Sequence, residues 1–584
     1  MDAEILREFI GLNVIRTDYW GGEFDMEYMF SNKRMSPLLA AFVIAVLWFG
    51  LFWYIGPDSF GYKMRAQNIG EAQILSGEFP LLQNSVRPFV HAGYSATIAL
   101  LHSIVPGNNW SFVDVLVSFI GAILTTLVIF RWVYTNYSFD VYWLSYALVL
   151  TNIHIIEYST RRWGDSLSIA LFSAAIYALW KAICTKSYMY TVLAGILIGY
   201  YSQVRPEGFV AVAFLAVPFI ILIFRSIRLK KGAIRSIILV ILFAFTPFII
   251  ALPKIAHLYS VNGRIGLVFD VRFLGTGITG IQYLVESYYR TFADLPPGTI
   301  TGDALVGVAA VEGLLPKAIY IVHGFIKHVF LFQKHMTPVL LGVPVIALMF
   351  LSIASDRNEY ESRSNNTLVW YLFYICGFVF IMALILTIRD WDFGDPEYGA
   401  RYFKHIIPPS IILASIGAHR FSIILTNEIS NWRVRWLQPS QRTVFVTIAI
   451  ISVASYLPAV YWYVKNTTPV SKDPVVLVSR SAAATIRNDS ETYPVVIASD
   501  DVMVPYEAEC WYLPYGGVLP DSILAHMDRY GADYLSLQGN GERPRLSGYE
   551  HLYNQISVND GLDFIGRFGD REGYNIALYK RRRN

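Results

Sequence analysis

Apolar residues in this chain gather into long runs separated by short polar stretches. A helix of about 20 apolar residues crosses a bilayer, so runs of this length predict membrane-spanning helices. Eleven such runs are present, at 36–55, 111–134, 140–156, 164–183, 188–203, 208–225, 236–256, 337–355, 367–388, 404–425 and 442–463. A further apolar stretch, Ala318 to Phe332, is interrupted by basic and histidine side chains. It predicts a helix at the membrane interface or packed inside the protein.

The Lys and Arg residues of the short loops predict the orientation, because cytoplasmic loops carry an excess of them. Lys33 and Arg34 precede the first run, and basic residues also follow the sixth run at 225–235 and the tenth at 420–435. With an odd number of spans these segments share one side, so we expect a cytoplasmic N-terminus and an extracytoplasmic C-terminus. Arg161 and Arg162 then face outward against the rule, which calls for a functional or packing reason.

Three regions outside the spans are long enough to carry structure of their own. The first outer loop, 56–110, contains helix-like patterns at Ser59 to Leu75 and His91 to Val105, whereas the outer loop 257–316 is rich in Gly and Thr. From 466 to 584 the chain turns polar, with strand-like runs at 494–498, 532–537 and 574–579 and a helix-like run at 521–530. This alternation predicts a small α/β domain. We therefore expect a cytoplasmic segment at 1–35, a polytopic α-helical membrane domain at 36–465 and an extracytoplasmic domain at 466–584.

The composition agrees with a membrane protein and narrows its chemistry. Hydrophobic residues make up 54% of the chain and charged residues 16%, compared with about 25% charged in soluble domains. The net charge of +3 gives no indication of nucleic-acid binding, and three widely spaced cysteines predict neither a disulfide framework nor a metal cluster. The first long apolar run begins only after 35 residues, so no cleavable signal peptide is expected. With no retention signal at the end, a prokaryotic plasma membrane is favoured.

Five polar clusters lie near the predicted outer ends of spans. They are Asp58 with Tyr62; Arg87-Pro88 with His91 and Tyr94; Glu157 to Asp165; Arg205-Pro206-Glu207-Gly208; and Asp395 to Tyr402. A single topology places all five on the outer side, where lipid-borne and water-borne substrates can meet. We therefore expect a reaction site there.

The order and spacing of these motifs resemble the GT-C glycosyltransferases, in particular the branch of protein O-mannosyltransferases and lipid A aminoarabinose transferases. The likeness covers roughly 36–225 and, more weakly, 389–410. The matching positions are Asp58, Tyr62 and Ala66; Arg87-Pro88; Tyr158, Arg161 or Arg162, and Asp165; Arg205 to Gly208; and Arg401-Tyr402 followed by Pro408-Pro409. Ser59 stands where many relatives carry a second acid, and Phe89 stands where many carry a second proline.

The resemblance implies transfer of a sugar from a polyprenyl-phosphate donor at the outer face. Asp58 is then the general base, and Asp165 is a second catalytic carboxylate that orients a loop or an arginine or assists substrate binding. Arginines would hold the lipid phosphate, because positive charge stabilises a leaving phosphate and the guanidinium matches its oxygens. The phosphate ligands are Arg87 and Arg401, then Arg205 and Arg162; the substrate-binding set is Tyr62, His91, Tyr158, Glu207 and Tyr402.

Structural explanations stand beside each of these assignments. Asp58 can cap the helix that begins at Ser59, Arg161 and Arg162 can extend to the interface, and Arg401 can pair with a nearby acid. Asp58 and Asp165 could bind a divalent cation, although no ligand spacing demands one, so no cofactor is expected. A transporter or flippase of lipid-linked glycans and a membrane scaffold are the competing functions. The acceptor can be a protein, a lipid or a glycan.

Overall fold

A computed structural model describes part of the chain, which divides into two compact units. The first unit comprises Met1–Gly50, Ser118–Thr160 and Gly164–Lys465, and the second comprises Leu51–Val117, Arg161–Trp163 and Asn466–Asn584. The described residues are 35–55, 68–73, 75–76, 92–105, 110–160, 163–205, 207–228, 233–262, 343–353, 363–389, 404–431, 440–458, 460–461, 473–490, 495–499, 503–508, 510–514, 520–540, 543–544, 549–550, 553, 561–570 and 573–582.

Among the described residues, each of the eleven apolar runs contains a helix, and the first outer loop is helical at 68–73 and in α2. The helices are α1 Pro37–Ile55, α2 Ala92–Ile104, α3 Trp110–Asn136, α4 Phe139–Thr151, α5 Ile153–Thr160, α6 Trp163–Thr185, α7 Tyr188–Val204, α8 Glu207–Arg228, α9 Ala233–Asn262, α10 Val343–Leu351, α11 Arg363–Arg389, α12 Ile407–Asn431 and α13 Gln441–Ala454. A 3₁₀ turn, Lys404–Ile406, leads directly into α12. The stretch predicted at Ala318 to Phe332 and the loop 257–316 lie outside the described residues, apart from the end of α9.

Four helical stretches of the described part are long and apolar enough to cross a membrane. They are Trp110–Asn136, Gly164–Thr185, Ala233–Pro253 and Lys404–Ile429. Their burial differs sharply: 83% of the apolar window in Gly164–Thr185 is buried inside the protein, compared with 28% in Ala233–Pro253. Helix α6 is therefore an interior helix, whereas α9 presents most of its apolar surface outward, as a lipid-facing helix does.

The structure differs from the prediction of a single span at 140–156. Helix α4 ends at Thr151, and α5 begins at Ile153 after a break at Asn152, whose backbone is extended. The Asn152 side chain accepts a hydrogen bond from the Ile155 N–H at 2.9 Å. An asparagine that caps a new helix in this way competes with continuation of the old one. The break redirects the chain before the Tyr158 to Asp165 motif.

The C-terminal part of the second unit is an α/β domain, as predicted. Its sheet has the order β2-β1-β3-β6-β5: the pairs β2–β1 and β1–β3 are parallel, while β3–β6 and β6–β5 are antiparallel. Its elements are α14 Pro474–Asp489, β1 Val496–Ser499, α15 Met503–Ala508, β2 Trp511–Pro514, α16 Ile523–Tyr530, β3 Tyr534–Asn540, β4 Arg543–Pro544, β5 Leu562–Gly569 and β6 Tyr574–Arg581. The predicted strands at 494–498, 532–537 and 574–579 correspond to β1, β3 and β6.

Each face of this sheet buries its own apolar cluster. On one face, Ile497 and Leu578 pack with Ala483 and Ile486 of α14. On the other, residues of α16 such as Met527 pack with Leu535 and Tyr579. Alternate residues of a strand point to opposite faces, so the strands in the middle of the sheet are apolar on both sides, and the domain has three layers.

The second unit also contains the described helices of the first outer loop. Tyr94 of α2 donates a hydrogen bond to Oδ1 of Asp114 in α3 at 2.9 Å, and the hydroxyls of Ser111 and Tyr506 lie 3.0 Å apart. Tyr506 belongs to α15 of the C-terminal domain. The first turns of α3 are thus joined both to the outer-loop helix α2 and to the C-terminal domain within one compact unit.

Candidate functional site

Three charged side chains meet inside the first unit. Asp165 lies in the first turn of α6, Arg205 follows α7, and Lys404 begins the 3₁₀ turn before α12. Oδ1 of Asp165 accepts hydrogen bonds from Nη2 of Arg205 and from Nζ of Lys404. All three residues are at most 4% exposed. We call them the charged cluster.

Local structure explains how each member reaches the common point. Asp165 lies at a helix N-terminus, where the backbone dipole favours negative charge. Arg205 is the C-cap of α7: its backbone is extended, and its N–H donates to the Tyr201 carbonyl at 2.7 Å. Lys404 precedes a helix whose first turn contains Pro408, a residue suited to that position. Three element ends, rather than three helix middles, therefore supply the charges.

Burial makes this arrangement costly, so it calls for a reason. Each buried ion loses roughly several kcal/mol of hydration free energy, and only a well-placed opposite charge offsets this loss. Asp165 supplies that charge to two cations at once. A carboxylate oxygen occupied by two cationic donors is poorly placed to take a proton from a substrate. The geometry therefore favours an orienting role for Asp165, which is one of the roles that its motif suggested.

An aromatic wall packs beside the cluster and fixes the turn that carries Lys404. The ring of His405 lies with its centroid 5.2 Å from Phe172 of α6 and 5.2 Å from Tyr201 of α7, edge to face in both cases. His405 is buried, at 1% exposure. Edge-to-face contacts of this kind add to the apolar burial, so the 3₁₀ turn is held against both helices that carry the other two members of the charged cluster.

Helix α5 brings a second pair of polar residues to the same turn. His154 Nδ1 and Glu157 Oε2 are 3.7 Å apart, and both side chains are nearly buried. The helix packs on the turn Lys404–Ile406. The two ends of the Glu157 to Asp165 motif therefore lie on different helices that both meet the Lys404–Ile406 turn. Glu157 lies on α5, which packs on the turn, and Asp165 lies on α6 and pairs with Lys404.

The structure describes only part of the predicted site. Asp165 and Arg205 are brought into direct contact, while Tyr158 lies in α5 and Glu207 begins α8. The other predicted site residues lie outside the described residues: Asp58, Tyr62, Arg87, His91, Arg162, Arg401 and Tyr402.

Lys404 and His405 are the residues that the sequence analysis missed. A signal was present, because two basic-type side chains open a strongly apolar run two residues after the Arg401-Tyr402 motif. Charged residues at the start of a membrane span commonly extend toward water at the interface. Lys404 was therefore not predicted as a site residue. In the structure its side chain points inward and is 2% exposed.

A divalent cation does not fit the described part of the site. Among the described residues, no group of three His, Cys, Asp or Glu side chains is arranged to hold a metal. The one buried carboxylate of the charged cluster already accepts from two cations, whose positive charge opposes an incoming metal ion. Asp165 is therefore not a suitable ligand in this arrangement.

The fold defines a class of protein: an α-helical body with apolar, membrane-length helices, charged residues gathered at element ends, and a small C-terminal α/β domain. The crystal structure of ArnT from Cupriavidus metallidurans bound to undecaprenyl phosphate shares this fold, with a TM-score of 0.53 at 11% sequence identity, covering 93% of this chain and 97% of that one. At this identity the likeness shows a shared fold, in agreement with the fold expected from the sequence motifs.

Two further solved structures are similar to this chain. ArnT from the same organism in the apo state gives a TM-score of 0.49 at 11% identity, covering 91% of this chain and 97% of that one. The Archaeoglobus fulgidus oligosaccharyltransferase complex with Zn and sulfate gives 0.45 at 13% identity, covering 86% and 67%. No protein-family model matches the sequence, and no curated protein sequence matches it.

Proposed function

We propose that the protein is a membrane glycosyltransferase that moves a sugar from a polyprenyl-phosphate donor to an acceptor at the outer membrane face. The observation that carries the proposal is the convergence of Arg205 and Lys404 on Asp165 inside this fold. A fold similar to ArnT, whose structure is bound to undecaprenyl phosphate, supports a lipid phosphate as the anion that these cations serve.

The proposed reaction is a displacement at the anomeric carbon of the donor sugar. An acceptor hydroxyl forms the new bond to that carbon and gives its proton to the carboxylate of Asp58. The bond to the lipid phosphate breaks, and its electron pair leaves with the phosphate oxygen. A leaving group that gains negative charge is stabilised by fixed positive charge in a dry site. Arg205 and Lys404 supply that charge, and Asp165 holds both in place.

The motif residues outside the cluster complete the proposal. Arg87, Arg401 and Arg162 join Arg205 as phosphate ligands. The proposed sugar and acceptor contacts are Tyr62, His91, Tyr158, Glu207 and Tyr402. The proposed topology has eleven membrane crossings, the N-terminus in the cytoplasm of a prokaryotic cell and the C-terminal domain outside. In this topology all the proposed site residues lie on the outer side of the membrane. The proposed acceptor class includes proteins, lipids and glycans.

A transfer assay with the purified full-length protein in lipid nanodiscs tests the proposal. Transfer of a radiolabelled sugar from a panel of polyprenyl-phosphate sugars to lipid, glycan and peptide acceptors is measured for the wild type and for Asp58→Asn. The matched control is Asp521→Asn, an exposed residue of the C-terminal domain. We expect transfer by the wild type and the control, and a loss of about 10²-fold or more for Asp58→Asn. Equal turnover of all three proteins would falsify the assignment of Asp58 as the base.

A further inference from the structure

Two glycines lie at close contacts that flank the charged cluster. Gly208 is in the first turn of α8, three residues after Arg205, and packs on Ser202 of α7. Gly121 of α3 packs on Ser166, the residue after Asp165. Each ionic partner on these helices therefore has a glycine contact beside it.

The contact at Gly208 leaves no room for a side chain. A Cβ built on Gly208 would lie 2.8 Å from the Cβ of Ser202 and closer still to the Ser202 backbone N and Cα. Real Cβ atoms do not approach other atoms so closely, and the obstacle is backbone, which cannot rotate away. The Gly208 N–H also donates to the Arg205 carbonyl at 3.1 Å. The close approach thus closes a tight turn directly on Arg205.

The contact at Gly121 restrains Asp165 in a similar way. Ser166 donates its hydroxyl to the Ser118 carbonyl of α3 at 2.8 Å. A Cβ on Gly121 would lie 3.0 Å from the Ser166 carbonyl carbon and 3.2 Å from the Leu167 nitrogen. The first turn of α6 therefore rests on α3 where a side chain would hold the helices apart, as small residues commonly permit in membrane proteins.

Helical glycines of the first unit differ in how closely they pack: Gly195, Gly199 and Gly417 also lie against neighbouring atoms, whereas two others are open. A Cβ added at Gly377 in α11, or at Gly50 in α1, would meet no atom within 4 Å. Alanine is also the better helix former, so these two positions would accept it without strain. Close packing is therefore not required of every helical glycine, and the contacts at Gly121 and Gly208 are those beside Asp165 and Arg205 along the chain.

We propose that Gly208 and Gly121 are positioning residues that align Arg205 and Asp165 by letting the neighbouring backbones come into contact. The inference rests on the proposed function, in which Arg205 holds the donor phosphate. Alanine at position 208 would push α8 away from the end of α7 and move Arg205 with the turn. Displacements near 1 Å can cost about 10²-fold in rate when a reactive group must be held in place.

Sugar transfer by Gly208→Ala, measured in the wild-type and in the Arg205→Ala backgrounds, tests the inference, with Gly377→Ala as the matched control. In the wild-type background Gly208→Ala is expected to lower kcat/KM by about 10-fold or more. In the Arg205→Ala background it should cost no more than about twofold, because coupled residues are not additive. Gly377→Ala should change neither. Equal losses in both backgrounds would assign Gly208 a merely structural role and overturn the proposal.

A thermal-unfolding cycle in the same nanodiscs needs no activity, so it separates failure of this inference from failure of the proposed function. We expect Gly208→Ala to lower Tm by less when Arg205 is already Ala; equal shifts contradict the coupling. If Gly208→Ala does not fold, Gly121→Ala takes its place, with and without Ser166→Ala, which removes the Oγ nearest to the added Cβ. Recovery of Tm in the double variant supports the proposal, and a further loss counts against it.

Discussion

The ion pairs of the two units differ in burial and in the number of cations that share a carboxylate. In the first unit, Arg205 and Lys404 share the single carboxylate of Asp165, and all three side chains are buried. In the C-terminal domain, three consecutive basic residues lie at the end of β6: Lys580, Arg581 and Arg582. Each pairs with a carboxylate from a different element. These pairs are Lys580–Asp489 at 2.9 Å, Arg581–Asp528 at 2.8 Å and Arg582–Asp563 at 2.5 Å, and most of their side chains are well exposed.

The contrast separates a functional use of charge from a structural one. Exposed pairs contribute about 0–1 kcal/mol each, and here each cation at the end of β6 is matched by one carboxylate. A buried ion pair is often no more stabilising than apolar residues of the same shape, so stability alone does not explain the charged cluster. The proposed phosphate-binding role accounts for it, and the following variants test this proposal.

The largest effect is expected from Asp165→Asn. This change keeps the size of the side chain but leaves two buried cations without their carboxylate, so the free energy of unfolding should fall by about 3–5 kcal/mol. Thermal unfolding in detergent measures the loss. Asp563→Asn, in an exposed pair of the C-terminal domain, is the control and should lower Tm only slightly at neutral pH. A wild-type Tm for Asp165→Asn would show that the charged cluster is not formed as described.

A smaller effect is expected from Lys404→Met, which removes one cation while Arg205 still pairs with Asp165. Methionine keeps the length and apolar stem of lysine, so the protein should fold. Loss of one charge that stabilises the leaving phosphate should lower kcat/KM for sugar transfer by about 10²-fold. The control is Lys580→Met at the end of β6. If both variants transfer sugar equally well, Lys404 has no part in the reaction.

Tyr506→Phe gives a neutral reference for these charged contacts. It removes the 3.0 Å hydrogen bond to Ser111 within the second unit while keeping the aromatic ring. The expected cost is about 0.5–1.5 kcal/mol, measured by chemical unfolding. Tyr188→Phe, at an exposed position, serves as the control. A loss as large as that of Asp165→Asn would remove the distinction between the two kinds of contact.

The sequence could predict the helices but not the long-range pairing. Apolar runs of bilayer length identify helices because the signal is local. Asp165 and Arg205 are 40 residues apart, and Asp165 and Lys404 are 239 apart, so no pattern along the chain joins them. Arg205 was predicted as a phosphate ligand from its motif, whereas Lys404, without a comparable motif of its own, was missed.

Short or half-buried elements were also hard to predict. The strand β2 has only four residues, and β5 is partly exposed along most of its length, so neither shows a clear alternation of buried and exposed positions. The break at Asn152 lies inside an apolar run and involves a side-chain hydrogen bond to the Ile155 N–H. Such features depend on tertiary contacts, which cannot be predicted from the composition and periodicity of the sequence.

The smallest expected effect is a pH dependence of the β6 pairs. The hydrogen bond from Lys580 is the main reason that the pKa of Asp489 is lowered, and the hydrogen bond from Arg582 is the main reason for Asp563. A carboxyl with a lowered folded pKa stabilises the fold above its unfolded pKa of about 3.9, and this stabilisation is lost as the pH falls through the folded value. The domain should therefore lose stability only below about pH 4.

Unfolding curves at a series of pH values, for the wild type and for Asp489→Asn with Asp563→Asn, test this dependence. The double variant should show a weaker loss of stability below about pH 4 than the wild type, and the same flat profile between about pH 5 and 7. A wild-type curve that falls already between those two values would assign the transition to other groups.

Binding of undecaprenyl phosphate to the full-length protein in nanodiscs, measured by native mass spectrometry, tests the central claim most directly. The account predicts that the wild type binds the lipid and that Arg205→Ala with Lys404→Met weakens binding by about 10-fold or more, since each charge-assisted hydrogen bond contributes about 1.5–3 kcal/mol. The control pair Lys580→Met with Arg582→Met should bind like the wild type. Equal binding by all three proteins would contradict the account.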